Sequence, residues 1–422
     1  MNTLDLSTFH AFKEQLHEIG ISESELNDSH FNSSLCYLQE YGLPLPKHEE
    51  WKYFPLTKIV QKKYVQEFKV SKTFQASSFV PYFPDAIHII MVNGYPINLN
   101  DISSIPGLEI NIQKRKNAVI DDPTKNPFPH LNRIVSFEEL YVRFTEEYKS
   151  DIPVHILHII SNETENPILV SPTISINLQS NAKALIIESF HADDVQDALI
   201  NSSVTIVAEE GSTLHHVIIE QDLGTIAQVY NCHSTVYSHA IVQDHVIVSD
   251  SNTVRNTITG SLLDKQATYN IYGVVSGDKK SLIDNHTIVD HIAPHCESNE
   301  LFKHVLSDNS TAVFNGKIYV QKDAQKTNAY QSNRTLLLSP TATINTKPQL
   351  EIFADDVKCS HGATTGSVDE EALNYLRSRG ISRSVALNLL TEAFIGEVIQ
   401  YLSYEPLKDH FEGNALLKNK GQ

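Results

Sequence analysis

Cys359 and His361 sit two residues apart in D-D-V-K-C-S-H-G-A-T-T-G, residues 355–366. On a strand, residues i and i+2 share a face, so this thiol and imidazole can meet one metal ion. Both donors suit iron or zinc. Two donors do not close a structural site, which takes about four; the others would come from elsewhere in the chain or from a partner. The plain alternative is a buried cysteine beside a histidine that caps a turn. A second group lies in H-T-I-V-D-H-I-A-P-H-C-E-S-N-E, residues 286–300: His286, Asp290, His291, His295, Cys296 and Glu297. Its spacing matches no zinc motif, and it reads first as a polar face of solvated or hydrogen-bonded histidines. His215-His216 and the pair His155 and His158 carry a weaker signal still. Asp193-Asp194 and Asp355-Asp356 are adjacent carboxylates. Neighbours on a strand face opposite ways, so neither pair forms an acid/base dyad.

The nucleotide and hydrolase motifs are missing. The sequence contains no G-x-x-x-x-G-K-[ST], no G-x-G-x-x-G and no G-x-S-x-G, so it does not read as a P-loop ATPase, a dinucleotide enzyme or an α/β-hydrolase. A formal charge of -18 argues against broad nucleic-acid binding and against docking on anionic lipid. No run approaches the ~18 apolar residues of a membrane span. The first residues show no basic-then-apolar leader. Four scattered cysteines are not a disulfide framework in a chain of this size, and a reducing cytoplasm is the expected compartment.

The elements that must position these residues change along the chain. Residues 1–150 are expected to be an N-terminal region, largely helical with some early strands. Phe9, Phe12, Leu16 and Ile19 recur at helical spacing, and Gly20 would end that helix. The proline-broken G-L-P-L-P-K-H-E-E-W-K-Y-F-P-L, residues 42–56, carries the only Trp, read as an anchor onto the core. F-E-E-L-Y-V-R-F-T-E-E-Y, residues 137–148, reads as one more helix. Residues 151–361 hold short runs rich in Val, Ile, Thr and Tyr, bounded by Asn, Asp, Ser and Gly. Turn signatures recur among them, several at intervals of roughly 25 to 30 residues, within the range of stacked coils. A β-sandwich would need more tight hairpin turns than Asn93-Gly94, Asn315-Gly316 and Gly277-Asp278 supply. The pattern therefore favours a mainly β protein with a right-handed parallel β-helix core. Residues 362–422 read as a C-terminal helical domain. Ser367 and Glu370 fit a capping box, Gly380 a C-cap and Ser382 the cap of a second helix. That second helix would carry Ala386, Leu389, Leu390, Ala393, Phe394 and Val398 on its apolar face.

The segment C-S-H-G-A-T-T-G-S-V-D-E-E-A-L-N-Y-L-R-S-R-G-I-S-R-S-V-A-L-N-L-L-T-E-A-F, residues 359–394, closely resembles the signature of the SufB/SufD family. E-E-W-K-Y-F-P-L, residues 49–56, is similar to its SufD branch. The resemblance implies a scaffold for iron–sulfur cluster assembly rather than a free-standing enzyme. It implies a parallel β-helix between helical ends, pairing with a SufB-like scaffold through the β-helix, or with a second copy of the chain in isolation. It implies a SufC-like ABC ATPase on the C-terminal helices, where Arg377, Arg379, Arg383, Leu389, Leu390 and Phe394 are the docking candidates. No tightly bound cofactor is implied, only a transient iron or iron–sulfur cluster at the partner interface. The family's functional histidine falls on His361, with Cys359 as a weaker candidate beside it. The competing readings are a β-helix lyase or hydrolase acting on carbohydrate, and the sulfur-receiving SufB-type subunit.

Overall fold

Short runs of Val, Ile, Thr and Tyr favour extended backbone, and the corners between them decide how those runs stack. Asn181, Gly211, His239, Gln266, His295 and Lys326 all have positive φ, at intervals of 27 to 31 residues. Asp194, Asp222, Asp250, Lys279 and Asp308 form a second such row, 28 or 29 apart. Asn and Asp tolerate this left-handed conformation because their short side chains bond locally. Each coil therefore has two fixed bends. The computed structural model describes residues 4–412 apart from 8, 10–11, 19–20, 45–46, 67–72, 80, 116–125, 150 and 163–164. It is 48% strand and winds a parallel β-solenoid of about seven turns.

Two sheets face each other across the interior. The front sheet stacks Val154–Ser161, Lys183–Asp193, Thr268–Gly277, Glu297–Leu306, Asn328–Leu337 and Lys358–Ser367. The back sheet stacks Ala198–Ala208, Leu282–His291, Thr311–Val320 and Thr343–Ile352. Two long strands, Thr213–Val236 and Ile241–Leu262, run from front to back through irregular pairing between Gln221 and Ala227. Successive coils pair in parallel, in register, so equivalent residues form rows that point the same way. One front-sheet row runs Ile186, His216, Asp244, Ile271, Glu300, Gln331, His361. The interior is mostly aliphatic, with Ile156, Ile186, Ile218, Val246 and Ile258 among its buried residues.

The expected helix at 137–148 is instead the strand Glu138–Phe144. Leu140, Val142 and Phe144 are buried while Tyr141 and Arg143 are less so: the apolar period is two, not 3.6. This strand pairs antiparallel with Leu108–Lys114 and parallel with Thr173–Leu178. Ile87–Val92 pairs with Val154–Ser161, so the solenoid already begins inside the N-terminal region. Of the three dipeptides that resemble hairpin turns, Asn93-Gly94 makes one, between Val92 and Tyr95. Asn315-Gly316 lies inside a strand and Gly277-Asp278 at a corner.

The N-terminal helices Phe12–Glu18, Ser29–Tyr41 and Phe128–Val135 share a second core with Trp51. That core seats on Leu169, Leu199 and Val229 of the back sheet. Leu16 is buried there on the first helix, whereas Phe9, also buried, precedes that helix rather than lying on its face; Ile19 and Gly20 lie outside the described residues. Trp51 is an anchor: the Arg255 guanidinium lies 3.7 Å from its ring centroid, and the Phe128 ring stacks at 5.4 Å.

The solenoid runs on to Ser367, beyond the expected limit at 361. Ser367 is therefore strand, and Asp369 caps the helix Glu370–Ser378 by accepting from Glu371 N and Ala372 N. Gly380 follows that helix at φ +87°. Ser382 caps the helix Arg383–Ile399 as expected. The second half of that helix packs on the solenoid. Ile395, Val398 and Ile399, with Leu402, Leu407 and Phe411, cover Ile187, Val217, Ile219, Ile247, Val274 and Val305 on the outside of the front sheet.

Candidate functional site at the open end of the solenoid

The last strand, Lys358–Ser367, pairs with Asn328–Leu337 on one side and, among the described strands, with nothing on the other. Thr343–Ile352 likewise pairs only with Thr311–Val320. Both sheets thus end in a ten-residue edge of unpaired N–H and C=O groups, a template for another strand. Large apolar side chains stand exposed beside it: Phe353 at 60% and Tyr330 at 46%. Leu350, Val357 and Cys359 only partly cover the last core cluster around Ile318, Val320 and Ala329.

Cys359 and His361 share the interior-facing side of the last strand, as their spacing requires. Their surroundings differ. Cys359 stacks on Ala329 and is half-buried, and burial pushes its thiol pKa up. His361 stacks on Gln331 and is exposed. A half-buried thiol and an exposed imidazole thus stand on one face of the edge strand.

The second sequence cluster is dispersed. His286 lies on the outside of the back sheet, where its Nε2 is 2.8 Å from Asp284 Oδ1. Arg255 pairs with the same Asp284. His291 points inward to Ser298 Oγ at 2.8 Å, His295 forms a corner, Cys296 is buried and Glu297 is exposed. Asp290 is half-buried and accepts from Gln321 at 2.9 Å. Alternation and the corner send them to different environments, so they form no single site. A pocket of about 210 Å³ beside His286 is lined by Glu50, Asn315 and Lys347.

A different cluster gathers inside the solenoid. Glu188, at 0% exposure, accepts from His158 Nε2 at 2.9 Å, His216 Nε2 at 2.8 Å and Tyr230 Oη at 2.7 Å. His216 Nδ1 meets Asp244 Oδ1 at 3.0 Å, and Tyr269 donates to Asp244 Oδ2. Burial would raise the Glu188 carboxyl, but hydrogen bonds from His158 and His216 overcome it and hold its pKa at about 2. Burial would lower His216, yet its bonds to Asp244, Cys232 and Glu188 keep it protonated well above the usual imidazole value. Burial, with the Asp244 charge, pushes the Cys232 thiol up to about 12. Of this group only His216 and His158 drew notice in the sequence, and weakly. Its members are scattered from 158 to 269 because each coil contributes only one to three.

The SUF system FeS cluster assembly SufBD core domain matches residues 159–394, more than half of the chain. The match takes in most of the solenoid and the C-terminal helices as far as Phe394. The chain belongs to the SufB/SufD family. It is 28% identical over 408 residues to the iron–sulfur cluster assembly protein SufD of Escherichia coli, covering 94% of each chain. It is also 28% identical over 439 residues to an iron–sulfur cluster assembly SufBD family protein of Synechocystis, covering 94% of this chain and 92% of that one. The SufD resemblance thus holds over 94% of the chain, and iron–sulfur cluster assembly is the family's business. Within the SufBD core match fall His361, Cys359 and all six residues of the candidate docking face.

That docking face sits on the two helices after the last strand. Arg377, Arg379 and Arg383 are all exposed near the turn. Leu389 is 43% exposed, Leu390 is half-buried, and Phe394 packs toward the solenoid with Lys303 over its ring at 4.7 Å. The open apolar surface is completed by Tyr375 at 59% and Val385 at 50%. Val385 and Leu389 are one helical turn apart and so lie on one face, a pairing that the sequence pattern missed. Among the described residues, no helix is long and apolar enough to cross a membrane.

Proposed function

We propose that the chain is a scaffold subunit of a SufBCD-type complex. Its open solenoid end pairs with a SufB-like scaffold, and its C-terminal hairpin docks a SufC-like ABC ATPase. The single observation that carries this reading is the last strand: ten residues long, unpaired on its outer edge, with Cys359 and His361 on its interior-facing side. A partner strand added there would cover the exposed Phe353 and Tyr330, satisfy the edge and bring further ligands to His361. The nascent cluster, the cargo of the assembly, would form at that junction, with His361 as a ligand on this side and Cys359 behind it. The hairpin that would bind the ATPase follows the same strand directly, so nucleotide-driven movement of the helices would reach the junction over a short path. The work takes place in the cytoplasm. The test is co-expression with SufB-like and SufC-like subunits, followed by affinity capture and sizing. Co-elution of all three is expected. A chain that captures neither subunit, or that degrades polysaccharide instead, overturns the reading.

A further inference from the structure

His216, Cys232 and Asp244 present an imidazole nitrogen, a sulfur and a carboxylate oxygen that all lie within 4.8 Å of one another. All three residues are buried, with 0%, 2% and 0% exposure. They come from three strand segments. His216 and Asp244 are in-register neighbours on the front sheet, and Cys232 reaches them from the back sheet across the interior. The residues paired with them are apolar: Ile186, Ile271, Val204 and Ile258. Polar groups in such surroundings cost several kcal/mol each unless something compensates them. The outer atoms of the set are already held. Glu188 Oε1 lies 2.8 Å from His216 Nε2, on the ring's other nitrogen. Tyr269 donates to the second oxygen of Asp244, and Tyr230 donates to Glu188 at 2.7 Å. This is the outer arrangement that metal ligands require: a carboxylate orienting the imidazole, and a hydrogen bond orienting the ligating carboxylate.

We propose that His216, Cys232 and Asp244 hold a divalent transition-metal ion, zinc or iron(II), inside the solenoid. Mixed nitrogen, sulfur and oxygen donors suit ions of this borderline softness. The ion takes the place between His216 Nδ1 and Asp244 Oδ1 that a proton fills in its absence. Uptake releases two protons, one from the Cys232 thiol and one from the His216 imidazolium, and no electron changes hands. Three protein donors leave one position of a tetrahedron for a water molecule. Because the donors are enclosed by both sheets, the ion enters as the coils wind and is retained afterwards, tying the front sheet to the back. The site is independent of Cys359 and His361.

The test is production of the full chain in cobalt-supplemented minimal medium, with total metal analysis and absorption spectroscopy after washing with chelator. Cobalt reports its ligands: a thiolate gives a near-ultraviolet charge-transfer band. One equivalent of metal per chain and that band are expected. Both should persist in Cys359→Ala, whereas Cys232→Ala should lose the band and at least tenfold in retained metal. Wild-type protein with less than a tenth of an equivalent of any divalent transition metal overturns the proposal. So does a band that survives Cys232→Ala or disappears only in Cys359→Ala. If Cys232→Ala does not fold, the wild-type metal content and spectrum, compared with those of Cys359→Ala, decide the matter. Failure to capture Suf partners would leave this site standing, and loss of this site would leave the partner reading standing.

Discussion

At the scale of single residues, His361 and Cys359 share a face but differ in what they can offer. As an exposed imidazole, His361 would serve the proposed junction as a neutral donor that lets its metal go, which suits a site that must hand its cluster on. The half-buried thiol is first a packing residue over Ala329. His361→Ala should leave the three-subunit complex and its ATP hydrolysis intact but reduce cluster yield at least fivefold, and Cys359→Ala should reduce it less. Reconstitution with iron and a sulfur donor, following cluster absorbance with sizing in parallel, checks both. Normal yield from His361→Ala would remove it as a ligand, and collapse of the complex would make it structural. A second residue makes a pH-dependent claim. Burial pushes the Glu220 carboxyl from 4.5 up to about 8, so the folded chain holds a proton there that the unfolded chain has released. Stability from this group is therefore full below about pH 4.5 and falls as pH rises toward about 8, a loss on the order of 3 kcal/mol at pH 7. Glu220→Gln keeps an oxygen for Asn256 Nδ2, which donates to Glu220 at 2.7 Å. In urea melts it should be more stable than wild type at pH 8 and no better near pH 4.5. Equal gains at both pH values would refute the linkage.

At the scale of elements, the C-terminal helices have two duties. The second half of Arg383–Ile399 and the residues after it seal the outside of the front sheet. Lys303 Nζ donates to Phe394 O at 2.5 Å, and Gln243 Nε2 to Tyr401 O at 2.8 Å. Removing everything after Gly366 would bare Ile187, Val217, Ile219 and Ile247, so truncation would confound loss of docking with loss of fold. A point change separates them. Leu389 is exposed, and substitutions at such positions usually move stability by no more than about 0.5 kcal/mol. Leu389→Asp should keep the melting temperature and weaken capture of the ATPase at least tenfold, as should Tyr375→Ala to a lesser degree. Undiminished capture by Leu389→Asp would shift the docking face elsewhere on the molecule.

At the scale of the whole molecule, the early turns of the solenoid are covered and its last turn is bare. The N-terminal helices cover the back of the early turns, and Ile87–Val92 extends the first one. The last turn has no cap among the described residues. In a stacked fold each coil is stabilised by its neighbours, so an uncapped terminal coil is the weakest. Amides of 343–367 should exchange with solvent faster in the isolated chain than those of 241–291, and should slow markedly in the complex. Hydrogen-exchange mass spectrometry of both forms tests this. Slowing confined to the N-terminal helices would put the partner on the other end.

The sequence by itself determined the features that local physics controls. β-branched runs broken by Asn and Asp at coil-length intervals dictated stacked strands, and Ser382 and Gly380 marked helix ends. The motif from Cys359 to Phe394 carried the family. Local pattern failed where two periods compete over a short run, as at Glu138–Phe144, and where Asp369 lay two residues from an equally good cap. Tertiary structure alone decided exposure: that the last strand has a free edge, that Leu389 faces outward while Phe394 turns to Lys303, and that His286 and His291 part company. It also assembled His216, Cys232 and Asp244, for which no spacing rule exists. Residues 28 apart become neighbours because one turn of this solenoid is that long, and a residue between them meets both because two sheets close on the same interior.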